Sequence, residues 1–112
     1  MAGNTTLNIT IVLNRPTNII LDGNKYLFIS DCYNHRIIGS DENGFRCIIA
    51  CSGSEGSTAD ALNRPQSIAF DSFGNLFVVD RNNNRIQKFY LLSSLSNSKR
   101  KKTTIRYFHL IV

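Results

Sequence analysis

Residues 13–37 read LNRPTNIILDGNKYLFISDCYNHRI, and residues 62–86 read LNRPQSIAFDSFGNLFVVDRNNNRI. A shift of 49 positions aligns the second stretch with the first without a gap. The identical positions are polar as well as apolar, and they include the pairs Asp22/Asp71, Asp31/Asp80, Asn34/Asn83 and Arg36/Arg85. A unit that recurs at this period is typical of repeat proteins, in which each supersecondary element packs against the next.

Each copy has the pattern of short β-strands separated by turns. We expect first strands at residues 17–22 and 66–71, second strands at 26–30 and 76–79, third strands at 37–40 and 86–90, and a fourth strand at 45–50. The second strands are apolar on both faces, which predicts that neighbouring sheets cover both sides. The fold expected is therefore all-β, with two consecutive four-stranded antiparallel units.

The repeat also divides the chain. Residues 1–12 are interpreted as the end of a preceding connector, 13–61 as the first unit with its Gly- and Ser-rich linker, and 62–90 as three strands of the second unit. Residues 91–112 form a Ser-rich and then basic tail. Within it, the β-prone residues 104–111 could supply a fourth strand or belong to an unrelated tail.

Two turns recur in each copy. Four residues separate Asp31 from Arg36, so a hairpin would place them opposite each other, and we expect Asn34 and Asn83 to take the positive φ of this turn. The carboxylates could also accept N–H bonds from the turn. In the other turn Gly74 suits a left-handed residue. Lys25 stands at the matching place, so Gly23 and Asn24 are expected to supply the positive φ there.

The net charge of +5 does not describe the repeats. Five of the 13 basic residues lie in the tail, at Lys99, Arg100, Lys101, Lys102 and Arg106, and the other eight are balanced by the eight acidic residues. The sequence therefore predicts no basic groove on the repeat body, and nucleic acid is not the expected partner.

The three cysteines, Cys32, Cys47 and Cys51, include no CxxC pair and no accompanying His cluster, which argues against zinc. We expect them to be buried or half-buried strand thiols. A disulfide between Cys47 and Cys51 is not expected, because both would lie on or just after one extended strand. No metal or other cofactor is predicted.

Neither a signal peptide nor a transmembrane segment is recognisable in the sequence, so no membrane association is expected and the default compartment is the cytoplasm.

The motif P-x-x-I-x-x-D followed by GNLFVVDRNNNRIQKF closely resembles the NHL repeat over residues 13–90. This resemblance implies that each copy is one blade of a β-propeller, with Ile19 and Ile68 on the inner strand. Known NHL propellers close a ring and mostly bind proteins, or RNA in some members, and a related branch contains metal-dependent amidating lyases. Two blades alone leave a partial propeller, which implies either a fragment of a longer protein or self-association.

Recurrence in both copies favours a structural role for one set of residues, because a catalytic group has no reason to appear once per repeat. This structural signature comprises Asp22, Asp31, Asn34, Arg36, Asp71, Asp80, Asn83 and Arg85. The loop residues that differ between the copies are the candidates for binding, since loops are freer of packing demands. They are Cys32, Tyr33, His35, Arg81, Asn82 and Asn84.

These observations favour a non-catalytic binding scaffold with a protein partner. The only histidines are His35 and His109, and no catalytic residue set stands out, so no enzyme activity is expected. Three alternatives stay open: a fragment of an amidating-lyase or lactonase-like propeller enzyme, an RNA-binding NHL module, and a truncated product without independent function.

Overall fold

The computed structural model describes residues 11–91 and 107–111, which form two four-stranded antiparallel sheets. The first sheet contains β1 (Pro16–Leu21), β2 (Leu27–Asp31), β3 (Arg36–Asp41) and β4 (Gly44–Ile49), in that order. The second contains β5 (Pro65–Phe70), β6 (Leu76–Asp80), β7 (Arg85–Leu91) and β8 (Tyr107–Ile111). Short 3₁₀ turns, Cys32–Asn34 and Arg81–Asn83, connect the second strand of each sheet to the third. The predicted all-β architecture is confirmed.

The fourth strand of the second sheet comes from residues 104–111, which the sequence allowed to be either a strand or part of an unrelated tail. Strand β8 pairs with β7 in a register that runs from Gln87 opposite Ile111 to Leu91 opposite Tyr107. This pairing favours the fourth-strand interpretation over an unrelated tail. The expected connector at residues 1–10 and the basic residues 99–106 lie outside the described residues.

The two sheets have matching registers. Ile19 lies opposite Ile29 and Ile68 opposite Val78, and each first strand has an irregularity after its proline. The prolines themselves open β1 and β5, one residue earlier than predicted. Proline is tolerated at the first position of a strand because its missing N–H is not needed in the ladder there.

The turn after the first strand has a left-handed residue at the same position in both units. Lys25 itself adopts a φ of 69°, in the place where Gly74 has a φ of 88°, so the prediction that Gly23 and Asn24 supply the positive φ is wrong. The Asp22 carboxylate explains how a lysine is tolerated, because its Oδ1 accepts the N–H groups of Asn24 and Tyr26 at 2.8 and 2.9 Å. These bonds hold the turn against a backbone strain of about 1–3 kcal/mol.

The cysteine prediction is correct for one residue and wrong for the other two. Cys32 is a buried free thiol, whereas Cys47 and Cys51 form a disulfide. The reason is the conformation of Ala50. Its φ of 59° turns the chain back after β4 and brings the Cα atoms of the two cysteines to 5.8 Å from each other. The two cysteines are therefore not on one extended strand.

The main core lies between the two sheets. Its buried members are Phe28, Ile37 and Ile49 from the first sheet, Ile68, Leu76, Val78 and Phe89 from the second, and Leu62 from the connector. Strands β1 and β5 approach each other at one side of this core, where the Asn18 side-chain oxygen accepts the Ile68 N–H at 3.1 Å. The first strands of neighbouring units therefore lie side by side, as expected for inner strands.

Residues at equivalent positions of the two units differ in exposure, which shows where each sheet is left uncovered. Ile37 is fully buried, but its equivalent Ile86 is 47% exposed; conversely Ile68 is 5% exposed and its equivalent Ile19 is 55% exposed. The prediction that both second strands are covered on both faces holds for β2 and is wrong for β6, where Val79 is 38% exposed. The exposed apolar side chains thus lie on faces of opposite type, at Ile19 of β1 in the first sheet and at Val79 and Ile86 in the second.

This difference predicts unequal effects of the same substitution at equivalent sites. Ile37→Ala should lower the free energy of unfolding by about 2–5 kcal/mol, because it removes buried methyl groups and leaves a cavity. Ile86→Ala should lower it by about 1 kcal/mol or less, since that side chain is half exposed. Urea denaturation at a concentration that keeps the chain monomeric measures both values, and equal losses would contradict the described core.

Candidate binding rim

One end of the two sheets gathers most of the predicted site residues. Because the strands are antiparallel, the start of β1, the end of β2, the start of β3 and the end of β4 all lie at the same edge of the first sheet. The second sheet repeats this arrangement. We call this edge the rim, and it comprises residues 12–15, 32–35, 50–64 and 81–84.

A buried carboxylate lies under the rim of the first sheet. Asp31 is fully buried, and its Oδ2 accepts bonds from Arg36 Nε at 2.8 Å and Asn34 Nδ2 at 3.0 Å. Its Oδ1 accepts the backbone N–H of Asn14 at 2.7 Å. Arg36 also donates to the carbonyl of Val12 at 3.0 Å. The carboxylate therefore joins the 3₁₀ turn, β3 and the segment that leads into β1.

The second sheet repeats this network and extends it. The Asp80 carboxylate accepts bonds from Arg85 Nε and Asn83 Nδ2, both at 2.8 Å, from the Asn63 N–H at 2.7 Å and from Gln87 Nε2 at 3.2 Å. The guanidinium of Arg85 donates in turn to three carbonyls of the connector, those of Ser57, Thr58 and Ala61. The repeated polar residues thus bond to one another and to backbone.

The register prediction for this pair is correct, since Asp31 lies opposite Arg36 and Asp80 opposite Arg85. The prediction for the asparagines is wrong. His35 and Asn84, with φ of 54° and 51°, take the left-handed position that ends each 3₁₀ turn. Asn34 and Asn83 precede them because their side-chain amides are needed by the buried carboxylates. The backbone N–H that each carboxylate accepts comes from Asn14 or Asn63 and not from the turn.

The other predicted signature pair lies at the opposite edge of each sheet. Asp22 and Asp71 each accept two backbone N–H bonds within the turn that follows the first strand. Their carboxylates therefore hold these turns and do not meet the rim residues.

The six predicted binding residues differ in accessibility. Tyr33, Arg81, Asn82 and Asn84 are exposed, His35 is half-buried and Cys32 is buried. Burial raises the pKa of the Cys32 thiol above its ordinary value, although the nearby Arg64, Arg81 and Arg15 guanidiniums partly oppose this shift. Cys32 therefore lies beneath the rim, and the other five residues reach its surface.

Two residues that the sequence reasoning missed complete this surface. The guanidinium carbons of Arg64 and Arg15 lie 4.3 and 5.2 Å from the centre of the Tyr33 ring. Both arginines belong to the repeated Leu-Asn-Arg-Pro sequence, where they were counted only toward charge balance. Their recurrence immediately before a strand at the edge that carries the loops was the signal that could have identified them.

His35 links Arg64, which precedes the first strand of the second unit, to the first unit. Its Nδ1 accepts the backbone N–H of Arg64 at 3.0 Å, and its Nε2 lies 3.5 Å from the Glu55 carboxylate. Within residues 11–91 and 107–111, the side chain of the matching residue, Asn84, makes no such link. His35 is therefore part of the junction between the two units.

Two other kinds of feature are absent from the described residues. Across residues 11–91 and 107–111, no three His, Cys, Asp or Glu side chains come together in a way that could hold a metal ion. In the same part of the chain, no helix has the length and apolar character needed to cross a bilayer.

The four-stranded antiparallel sheets, stacked with their first strands side by side and repeated at a fixed spacing, define a protein built from propeller-type blades. Residues 62–89 match the family model of the NHL repeat. This match of the second unit supports the NHL family predicted from the sequence. The first unit has the same register and the same buried carboxylate network.

The network predicts a strong dependence of stability on its central carboxylate. Asp80→Ala should lower the free energy of unfolding by about 3–5 kcal/mol, because Arg85 would lose its carboxylate partner, the Asn63 N–H its acceptor, and the Asn83 and Gln87 amides one hydrogen bond each. Asp60→Ala, at an exposed position of the connector, is the matched control and should change stability by about 0.5 kcal/mol or less. Chemical denaturation compares the two, and a similar small loss for both would contradict the described network.

Proposed function

We propose that this chain is a non-catalytic part of an NHL-repeat propeller that acts as a protein-binding scaffold through its rim. The observation that carries this proposal is the use of one backbone arrangement to present different side chains. The N–H of Tyr33 bonds to the Asn14 carbonyl and that of Asn82 to the Asn63 carbonyl, both at 3.0 Å. Equivalent positions are held identically, while one presents a phenol ring and the other an amide.

The acidic residues under the rim support a scaffold role more than a catalytic one. Asp31 and Asp80 are fully buried, and each is saturated by an arginine, an asparagine amide and a backbone N–H. A general acid or base must reach the substrate's proton directly or through one water. In this proposal the two carboxylates only hold the loops, and the exposed residues above them make the contacts with a partner.

A propeller enzyme is the competing hypothesis from another functional class, and it makes a separate prediction. Such an enzyme of the metal-dependent kind would retain a stoichiometric metal after purification, which elemental analysis of the purified chain measures. The scaffold proposal requires no metal, and a bound metal at one equivalent per chain would argue for the enzyme.

Selection from a random peptide display library tests the scaffold proposal. Peptides selected on the purified chain should bind Tyr33→Asn at least about tenfold more weakly, because the substitution replaces the exposed ring by the residue of the equivalent position. The matched control is Phe73→Ser, since Phe73 is 76% exposed in the β5–β6 turn at the opposite edge. Thermal unfolding should show that both variants remain folded.

The controls decide between a rim site and unspecific adhesion. Peptides that lose affinity equally for Tyr33→Asn and Phe73→Ser would indicate general stickiness of exposed aromatic rings. A library that yields no peptide dependent on Tyr33 or its rim neighbours would overturn the proposal.

A further inference from the structure

Three arginines converge on the rim from separate segments of the chain. Arg15 precedes β1, Arg64 precedes β5, and Arg81 opens the 3₁₀ turn after β6. Two of them, Arg15 and Arg64, lie over the Tyr33 ring, and Arg81 is exposed on the same rim. We propose that they form, around Tyr33, a binding site for the carboxylate groups of an acidic peptide. This inference rests on the proposed function and specifies the ligand of the same rim.

Among the described residues, these guanidiniums have no ion-pair partner of the kind that the other arginines have. Arg36, Arg46 and Arg85 each form an ion pair with an aspartate. Within residues 11–91, no carboxylate lies within ion-pair distance of Arg15, Arg64 or Arg81. Two positive charges thus lie together over Tyr33, and a third on the same rim, without an ion pair, and an anion would relieve the repulsion between them.

Two of the guanidiniums are held in position before any ligand binds. Both lie over the Tyr33 ring, at 4.3 and 5.2 Å, and the ring stands on a backbone fixed by the Asn14 carbonyl. The Arg64 backbone is fixed by His35. A guanidinium presents its N–H groups as a planar fork that matches a carboxylate, and holding it in place lowers the entropy lost on binding.

The surroundings favour an acidic peptide over a nucleic acid. Glu55, whose side chain is 61% exposed, and Asp60 lie in the connector of the same rim, so the positive area is confined to the junction of the two units. Binding of a nucleic acid strand needs cations along a longer track and aromatic faces open for bases. The Tyr33 ring is already contacted by two arginines, which leaves it poorly suited to stack on a base.

The test is fluorescence anisotropy with a labelled octa-glutamate peptide, an octa-glutamine peptide of the same length and a single-stranded RNA oligomer. We expect the octa-glutamate peptide to bind with an affinity that falls as salt is raised, and the other two to bind much more weakly. Arg64→Gln should weaken the octa-glutamate complex about tenfold or more, and Arg64→Lys should recover part of that loss.

Arg46→Gln is the matched control, because it removes an exposed arginine from β4 and leaves the rim intact. Equal weakening by Arg46→Gln and Arg64→Gln would show a general charge effect and overturn the proposal. Tighter binding of RNA than of octa-glutamate, lost in Arg64→Gln, would also overturn it in favour of a nucleic acid. If display-selected peptides depend on Tyr33 without being acidic, this inference fails while the proposed function stands.

A second inference comes from the open sheet faces. On the second sheet, Val79 and Ile86 line an exposed concavity together with Arg81 and Asn84. Their equivalents Ser30 and Ile37 are fully buried against the second unit. The interface that covers Ser30 and Ile37 is therefore not repeated at Val79 and Ile86 by any of the described residues.

The complementary face of the first sheet is exposed along its first strand. Ile19 and Leu21 are 55% and 58% exposed, whereas their equivalents Ile68 and Phe70 pack into the core between the sheets. We propose that a second copy of this chain occupies the Val79 and Ile86 face with its own Ile19 and Leu21 face. The internal contact between the two units supplies the geometry, and because the two faces differ, copies join head to tail.

A pair of complementary variants tests this arrangement. Light scattering of the wild-type chain should give a mass of at least twice the monomer's 12.6 kDa. Ile19→Lys and Ile86→Lys should each be monomeric, because each blocks one of the two faces. An equimolar mixture of the two should form a one-to-one dimer through the faces that remain intact.

The mixture separates head-to-tail assembly from other kinds of association. A wild-type chain that stays monomeric at high concentration, or variants that stay monomeric when mixed, would overturn the proposal. Self-dimerisation of either variant alone would show a symmetric contact between identical faces and would also overturn it. Circular dichroism of each variant confirms that loss of mass is not loss of fold.

Discussion

The buried carboxylate of each unit is the interaction on which the rest of the structure depends. An ionised group without access to water is tolerated only when other groups satisfy its charge and its lone pairs. Asp31 and Asp80 each obtain this from an arginine, an asparagine amide and a backbone N–H that arrive from three segments. The need to satisfy one group therefore fixes the turn, the third strand and the entry to the first strand relative to one another.

This constraint explains why the rim can vary where the strands cannot. Asn34, Arg36 and their equivalents point toward the carboxylate, so their identities are set by hydrogen bonding. The residue before each asparagine is exposed, and the residue after it ends the turn in a left-handed conformation that histidine or asparagine can adopt. The same constraint that fixes the backbone leaves Tyr33 and Asn82 free to differ, which is the property expected of a binding loop.

Features that repeat were the ones that the sequence predicted well. The strand order and the Asp31 to Arg36 register followed from spacing and alternation alone, because a hairpin leaves few ways to pair two such strands. The Lys25 turn and the Cys47–Cys51 disulfide were missed because each depends on a single non-glycine residue in the left-handed region. Sequence preference disfavours that conformation, and only the hydrogen bonds or a covalent link around it make it acceptable.

The cluster at Tyr33 was missed for a different physical reason. Positive and negative charges are balanced over the repeats when they are counted along the chain. In the fold, however, the position of each arginine relative to its strand decides whether it meets a carboxylate. Arg36 and Arg85 turn toward buried carboxylates, whereas Arg15 and Arg64 precede their strands and stay at the rim. A neutral sequence can therefore present a locally positive surface. The contact of Arg64 with a ring from the preceding unit also means that this surface exists only where two units adjoin.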